Sequence, residues 1–253
     1  MEQQVFELTF GAHRVRYAFR YPKTRWRFRK YIRSSQSETY DVLASPAKLE
    51  EVRRVLPVDS PDDYVEYQAL IGLTSHALLR QNCCIMHAVS FMWMGHAWLL
   101  SAPSGTGKTT QYRNWQQLYP DEISMICGDK PVLEADNGKR ITVHSSPWNG
   151  KENYGTRGMS APLGGIVFLE QGSENRIAPL APKDAVPLLL RQLMVRPDTE
   201  EEIPAVSCMA DRTLSNVPVW KMTNLGDAAS TELLRSTLGA RLEQLKGGAA
   251  HAL

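Results

Sequence analysis

Between an apolar run and a helical pattern lies Ser101-Ala102-Pro103-Ser104-Gly105-Thr106-Gly107-Lys108-Thr109-Thr110. This stretch satisfies the phosphate-loop pattern, with Ala102 in the place of the usual first glycine. The two later glycines would let backbone N–H groups turn towards a polyphosphate, and the following helix would add its positive dipole end. A lysine at this position contacts β- and γ-phosphates, and the next hydroxyl binds Mg²⁺. The candidate nucleotide-binding residues are therefore Ser104, Gly105, Thr106, Gly107, Lys108, Thr109 and Thr110, with Thr109 as a metal ligand.

Strands and helices alternate on both sides of this stretch. The apolar runs Ile85–Trp93 and Ala97–Leu100 surround a plausible turn, so they predict a hairpin whose return strand leads into the loop. A helix is expected from Lys108 to Tyr119, followed by a buried strand from Ile123 to Cys127. Further expected elements are a helix over Asp62–Arg80, a hairpin of Val132–Ala135 and Ile141–His144 around Asp136-Asn137-Gly138, a loop at Ser145–Pro162, a strand at Ile166–Leu169, a helix at Lys183–Met194, an exposed loop at Asp198–Glu202, a strand at Val217–Met222 and a closing helix at Asp227–Leu245.

The N-terminal part of the chain has a different pattern. Residues 1–33 alternate in character with period two, which predicts short strands with a break at Tyr21-Pro22-Lys23-Thr24. Residues 34–63 are polar and rich in turn formers. We therefore expect an α/β protein with a mixed sheet: an N-terminal β-rich region and packing helix (1–80) in one unit with a core (81–245), and a frayed tail (246–253).

Composition excludes several classes of protein. With 253 residues, 43% of them hydrophobic and 22% charged, the chain is not disordered. Its net charge of +2 gives no general reason to expect a nucleic-acid or membrane partner. No apolar run reaches the roughly 18–20 residues that span a bilayer, and the N-terminus lacks signal-peptide features. The four cysteines form no C-x-x-C pair, so we expect free thiols in a soluble, cytoplasmic protein.

Three residues outside the loop are candidates for catalysis. Asp129 comes twenty positions after Thr109, and one helix and one strand fill that interval, so Asp129 should return beside the loop. A carboxylate there can hold Mg²⁺ or accept a proton from an attacking hydroxyl; the alternative is a turn residue. Lys130 could pair with Asp129, contact a phosphate or face solvent. His87, from composition alone, is more simply a core histidine.

Two further segments carry charge close to these candidates. The loop Ser146-Pro147-Trp148-Asn149-Gly150-Lys151-Glu152-Asn153 is rich in hydrogen-bonding groups, and Asn149, Lys151 and Arg157 could contact substrate unless this is an ordinary surface loop. Residues 14–33 hold nine Lys/Arg and no acid, interleaved with aromatic residues. A strand here would place Arg25, Arg27 and Arg29 on one face. That face would form a groove for an acidic peptide or single-stranded nucleic acid, or a solvated surface offset by nearby acids.

The segment from His87 to Lys151 resembles the HPr kinase/phosphorylase group and its small relatives, which share a nucleotide core with phosphoenolpyruvate carboxykinases. The resemblance depends on a hairpin that feeds the phosphate loop and on His87-Ala88-Val89, Pro103-Ser104-Gly105-Thr106-Gly107-Lys108-Thr109, Gly128-Asp129 and Pro147-Trp148-Asn149-Gly150-Lys151. It implies a mixed sheet of the carboxykinase/HPr kinase type, with Asp129 as base or metal-binding acid. It also makes His87 an active-site candidate.

This chain departs from the family pattern at two places. The family usually has two consecutive acids where this chain has Asp129-Lys130. The Glu-x-Arg-Gly-Leu-Gly segment of HPr kinases is reduced to Thr156-Arg157-Gly158-Met159, so the resemblance is weakest for the phosphorylase half-reaction.

The first functional hypothesis is an ATP-dependent kinase that phosphorylates a hydroxyl of a peptide or protein serine, or of a small molecule. Asp129, Lys108 and His87 would be catalytic, Thr109 and Asp129 would hold Mg²⁺, and the substrate contacts would be Lys130, Asn149, Lys151 and Arg157. A nucleotide-binding regulator with little or no phosphotransfer is the second hypothesis, and a nucleic-acid-associated ATPase the third. The expected partners are ATP and the acceptor. We expect no membrane partner, and nucleic acid is disfavoured. Whether the chain forms a homo-oligomer is left open by the sequence. Neither a guanine-specific Asn-Lys-x-Asp nor a Leu-Ser-Gly-Gly-Gln transporter signature is present.

Overall fold

The computed structural model describes residues 4–136 and 139–250, the last four of these by their backbone only. The predicted turn at Asn137-Gly138 and the end of the predicted frayed tail, residues 251–253, lie outside the described residues. The elements in chain order are β1 (Val5–Phe10), β2 (His13–Ala18), α1 (Pro22–Phe28), β3 (Arg33–Ser34), α2 (Pro46–Arg53), α3 (Asp62–Leu79), β4 (Cys83–Ile85), β5 (Ala88–Trp93), β6 (His96–Ser101), α4 (Lys108–Leu118), β7 (Ile123–Cys127), β8 (Val132–Ala135), β9 (Ile141–His144), β10 (Ser160–Gln171), β11 (Arg176–Pro179), α5 (Pro182–Gln192), α6 (Glu202–Asn216), β12 (Val219–Asn224) and α7 (Ala228–Ala250).

The main sheet is mixed and curled, as the alternation of hairpins and helices predicts. Strands follow the order β4-β8-β9-β10-β6-β5-β7, and β12 pairs with both β10 and β11. The first residues of β10 pair with β9, whereas its later residues lie between β6 and β12. Because β6, β10 and β12 are parallel, their carboxyl ends meet at one edge of the sheet. The glycine-rich loop leaves the sheet at that edge.

The predicted hairpin before the loop is confirmed, but its first strand starts at Ala88 instead of Ile85, which belongs to β4. Strands β5 and β6 are antiparallel, and Ala88 pairs with Ser101. Met94 and Gly95 make the turn with φ angles of +50° and +77°, as a tight two-residue hairpin requires. Ala88 is therefore placed beside the last residue of the strand that enters the loop.

Helices cover both faces of this sheet. Neighbouring residues Leu99 and Leu100 of β6 belong to different apolar clusters, because successive strand side chains point to opposite faces. One cluster includes residues of α5 and α6, and the other includes Tyr112 and Trp115 of α4 together with leucines of α7. Helix α4, which follows the loop, is thus anchored to the sheet through the apolar cluster that it shares with α7.

The N-terminal strands form a separate three-stranded antiparallel sheet, β2-β1-β3. This sheet packs on α3, where the Tyr17 hydroxyl is 2.9 Å from Thr74 Oγ1. Its apolar cluster also contains Ile85, Val132 and Trp148 from the main body of the chain. The N-terminal region consequently shares buried surface with the elements that carry the loop.

The strand prediction for Arg25–Arg29 is wrong, because Arg25–Phe28 belong to α1 and Arg29 is the C-cap of that helix. Pro22 at the start favours a helix, and Thr24 and Phe28, four residues apart, form its buried face. The alternation of arginine with aromatic residues hid this spacing. Three arginines therefore do not share a strand face; Arg27, for example, pairs with Asp63 at 2.9 Å.

Other elements were missed or have different bounds. Helix α2 lies in the segment predicted to be turns, and Ser45 Oγ caps it by accepting from Lys48 N at 3.1 Å. Helix α6 and strand β11 had no predicted counterpart, and Glu202 begins α6 instead of ending an exposed loop. The predicted loop at Ser145–Pro162 is shorter because β10 starts at Ser160. Helix α7 continues to Ala250, past its predicted end.

Among the described residues, the structure has no helix with both the length and the apolar character needed to cross a membrane. The four cysteines are free thiols, as expected from their spacing. Cys83, Cys84 and Cys127 are buried, whereas Cys208 is exposed on α6.

Candidate functional site

The glycine-rich loop joins β6 to α4 and is open to solvent at Pro103, Ser104 and Gly105. Gly105 and Gly107 have φ angles of +81° and +102°, which glycine adopts at no steric cost. A Cβ at either position would meet no described atom within 4 Å, so the backbone angle is what requires glycine here. Gly107 is the N-cap of α4, and no described side chain caps this end. The first N–H groups of α4 therefore remain available to an anion.

Lys108 lies underneath this loop. Its Nζ donates to the backbone oxygens of Ala102 at 2.7 Å and of Pro103 at 3.1 Å. Burial lowers the pKa of Lys108 to about 8; the charge of Asp129 opposes this shift and that of Lys130 adds to it. The amino group is therefore a partly desolvated cation held beside the open amides.

The remaining predicted loop residues are spread along the start of α4. Thr109 is half-buried, and its hydroxyl makes no hydrogen bond within the described part of the chain. Thr110 is exposed, and its Cγ2 would lie 3.7 Å from a Cβ at Gly226. The segment after β12 thus runs beside the first turn of α4, and the Thr109 hydroxyl is free to bind a ligand.

Asp129 returns to the loop, as its spacing from Thr109 predicts. It follows β7, and its backbone oxygen accepts from Ala88 N at 3.0 Å. Ala88 is also the register partner of Ser101, the last residue of β6. Two strands of the sheet thereby bring Asp129 next to the start of the loop.

The Asp129 carboxylate is held by the side chains of Lys130 and His87. Its Oδ2 accepts from Lys130 Nζ at 2.8 Å, and its Oδ1 lies 3.3 Å from His87 Nε2. Burial raises the pKa of Asp129, but the His87 hydrogen bond and the Lys130 charge outweigh burial, and the net shift is downward. The carboxylate is therefore ionised at neutral pH, and Lys130, whose role the sequence left open, is its ion-pair partner.

His87 is not a core histidine, because its side chain is 19% exposed and reaches Asp129. The backbone on both sides of it is fixed. Its N–H donates to Gln192 O at 2.7 Å, and its carbonyl accepts from Ser101 Oγ at 2.8 Å. These bonds hold the imidazole beside the carboxylate.

The loop from Ser145 to Met159 packs closely over Gly128 and Asp129. A Cβ at Gly150 would lie 3.2 Å from the Cβ of Asp129, and one at Gly128 would lie 2.7 Å from Asn149 O. The Asn149 side chain is buried within this contact. Its Oδ1 accepts from Gly128 N at 3.2 Å, and its Nδ2 donates to Ser146 O at 3.0 Å and to Tyr31 Oη at 2.9 Å. The structure thus places Asn149 inside the loop, whereas Lys151 and Arg157 are exposed.

Sequence reasoning missed the aromatic residues that support this loop. Trp148 is 1% exposed, and its ring centroid is 5.3 Å from that of Phe28 and 6.5 Å from that of Tyr67. Burial raises the pKa of Tyr67, and the nearby Asp129 carboxylate raises it further. The available signal was a tryptophan between Pro147 and Asn149, since a large apolar side chain in a polar loop needs a buried partner.

The described residues contain no group of three or more His, Cys, Asp or Glu that could hold a metal ion. The site supplies one carboxylate, Asp129, and the free hydroxyl of Thr109. This donor set fits Mg²⁺, which is commonly bound through one or two carboxylates and the phosphates of a substrate.

A kinase is among the structural neighbours of this chain. The solved Hpr(Ser) kinase/phosphatase from Coxiella burnetii is similar, with a TM-score of 0.36 and 11% sequence identity, over 65% of this chain and 98% of that chain. No family model matches the sequence, and no curated protein matches it. At this TM-score the similarity assigns neither a family nor a function.

Proposed function

We propose that this chain is an ATP-dependent kinase that transfers the γ-phosphate to a hydroxyl group of a peptide, a protein or a small molecule. The observation that carries the proposal is the adjacency of two features. One is the uncapped start of α4 behind Gly105 and Gly107, and the other is the ionised Asp129. The first can bind a polyphosphate, and the second can accept a proton.

Phosphate binding would use the amides of residues 104–109 and the amino group of Lys108. Lys108 Nζ would exchange the carbonyls of Ala102 and Pro103 for phosphate oxygens, which are the stronger, charged acceptors. Mg²⁺, with the Thr109 hydroxyl and the Asp129 carboxylate as its protein ligands, would neutralise charge on the β- and γ-phosphates. These contacts would stabilise the charge that develops on transfer.

In the transfer step, Asp129 would orient the acceptor hydroxyl and take its proton. The hydroxyl oxygen forms a bond to the γ-phosphorus, and the bond from that phosphorus to the β–γ bridging oxygen breaks, which leaves ADP. His87 and Lys130 hold the carboxylate in place and keep it ionised. Asn149 would position the segment that carries Asp129, while the exposed Lys151 and Arg157 would face the substrate.

The test is transfer of labelled γ-phosphate from ATP to an acceptor in a cell lysate, with the product identified by mass spectrometry. The wild type should transfer label. Asp129→Asn should lose at least about a hundredfold in rate, the usual size of a general-base contribution, while it still binds nucleotide. Glu174→Gln changes an exposed acid elsewhere and is the matched control. Full activity in Asp129→Asn would contradict the proposal.

One observation favours a second candidate, a nucleotide-binding regulator with little or no phosphotransfer. Lys130 neutralises Asp129 at 2.8 Å, at the position where kinases of the resembled group have a second acid. MgATP at about a hundred times its Kd should stabilise either protein by about 2.7 kcal/mol, and Lys108→Ala should remove most of this gain. Nucleotide binding without transfer or hydrolysis in the wild type would select the regulator.

A further inference from the structure

Two exposed cations lie in the loop that covers Asp129, and a third precedes Tyr31, which contacts that loop. We call Lys30, Lys151 and Arg157 the cationic rim. Within residues 4–136 and 139–246, no carboxylate lies within ion-pair distance of any of them. The charge of the rim is therefore not balanced by the protein itself.

Each residue of the rim belongs to, or is next in sequence to, a segment that contacts the catalytic candidates. Lys30 adjoins Tyr31, whose hydroxyl accepts from Asn149, and Asn149 in turn binds the backbone of Gly128. Lys151 follows Gly150, which packs against Asp129. Burial raises the pKa of Tyr31, and the charge of Arg157 acts against this rise, so Arg157 lies close enough to influence that hydroxyl. The three residues thus belong to segments that meet at Asn149, whose side chain accepts from Gly128 N, next to Asp129.

Two acids of this part of the chain, one in the loop and one beneath it, are already paired. Asp129 is held by Lys130 and His87, and Glu152 pairs with Arg113 at 3.0 Å. The whole chain has a net charge of only +2, so an unbalanced group of cations beside the site is a local feature. Such a feature attracts a partner of the opposite charge.

Further exposed cations lie on α1, the helix that precedes Lys30 in the chain. This helix has seven residues and a length of about 10 Å, and it exposes Lys23 and Arg25. Arg25 contacts the ring of Phe6, not a carboxylate. A surface of this extent can contact several residues of a chain, which a small acceptor could not do.

The aromatic residues of this region argue against single-stranded nucleic acid. Base stacking needs exposed ring faces. Tyr17 and Phe28 are fully buried, and Trp26, although 62% exposed, has the Arg29 guanidinium 3.5 Å from its ring centroid. These aromatic residues therefore do not provide a row of exposed rings on which successive bases could stack.

We propose that the cationic rim binds acidic residues flanking the acceptor hydroxyl, so that the preferred acceptor is an acidic segment of a peptide or protein. This inference rests on the kinase function proposed above. The rim would hold such a segment across the loop while its hydroxyl reaches Asp129.

The test uses two fluorescein-labelled synthetic peptides of equal length with one central serine, flanked by glutamates in one and by lysines in the other. Binding is measured by fluorescence anisotropy with MgADP present. The acidic peptide should bind at least about tenfold more tightly at about 0.05 M salt, and the difference should shrink at about 1 M, where charges are screened within about 3 Å. The combined variant Lys30→Gln, Lys151→Gln, Arg157→Gln should lose most of this preference. The control variant Arg54→Gln, Lys183→Gln, Arg191→Gln, which neutralises three exposed cations elsewhere, should keep it.

Equal binding of the two peptides, or an unchanged preference in the rim variant, would overturn the inference. So would a single-stranded oligonucleotide that binds the wild type more tightly than the acidic peptide does and that the rim variant no longer binds. A loss of MgADP affinity in the rim variant as large as its loss of peptide affinity would assign the rim to the nucleotide instead, and would also overturn it. Failure of the kinase proposal looks different, because wild-type protein would then keep the peptide preference without transferring labelled phosphate.

Discussion

Nucleotide binding should weaken about tenfold between pH 7 and pH 9, because Lys108 loses its proton over this range. Burial lowers the pKa of Lys108 to about 8. In the free protein, the Lys108 amino group would then be protonated in about nine-tenths of molecules at pH 7 and in about one-tenth at pH 9. If only the protonated form binds phosphate well, the apparent Kd rises about tenfold, which corresponds to about 1.4 kcal/mol.

The assay is isothermal titration of MgADP at pH 7, 8 and 9. Lys108→Arg keeps its charge throughout, so its affinity should not vary with pH in this range. Lys108→Met should bind weakly at every pH. Lys183→Met removes an exposed lysine of α5 and should follow the wild type.

The stability of the free protein should change in the opposite direction. The folded pKa of Lys108 lies below the unfolded value of 10.5, so the unfolded chain binds more protons above pH 8. The contribution of Lys108 to the free energy of unfolding therefore increases as the pH rises through about 8. An affinity that does not change with pH in the wild type, or the same pH dependence in Lys108→Arg, would refute this reasoning.

Three other changes test the support of the site. Trp148→Ala should lower the free energy of unfolding by about 3–5 kcal/mol in urea denaturation, because it empties a buried aromatic position; a loss below about 1 kcal/mol would contradict this packing. Asn149→Ala should cost about 1–3 kcal/mol in the same assay, since it leaves the N–H of Gly128 without its acceptor, and a neutral effect would contradict that bond. Burial raises the pKa of Glu134, but the hydrogen bonds from His13 and His144 outweigh burial and hold it below 4.5. Stability from Glu134 is thus present above that pH and lost as the pH falls through the folded pKa, and Glu134→Gln should reduce this acid sensitivity in thermal denaturation.

Local signals predicted the central part of the fold. The two glycines before Lys108 need left-handed backbone, and the structure has both there. The hairpin that enters the loop was visible because its strands are apolar runs around a short turn. The spacing between Thr109 and Asp129 was also sufficient to place Asp129 beside the loop, because a single helix and a single strand between them bring the chain back to the same edge of the sheet.

Features that are decided by tertiary contacts could not be predicted from local sequence patterns. Period-two alternation in Arg25–Arg29 suggested a strand, but Pro22 and the packing of Phe28 decide for a helix. For Lys130 the sequence left three alternatives open, and only the three-dimensional structure selects the ion pair with Asp129. Trp148 gave only an indirect signal, because its partners Phe28 and Tyr67 lie far away in the sequence.

The central claim is that the amides of residues 104–109 bind the phosphates of a nucleotide. It is tested most directly by recording ¹⁵N-labelled protein by NMR while MgADP is added. The amide signals of Gly105 and Gly107 should shift saturably, with one common Kd, and Lys108→Met should weaken this binding. Signals of Gly105 and Gly107 that stay unchanged at saturating MgADP, while other amides shift, would contradict it.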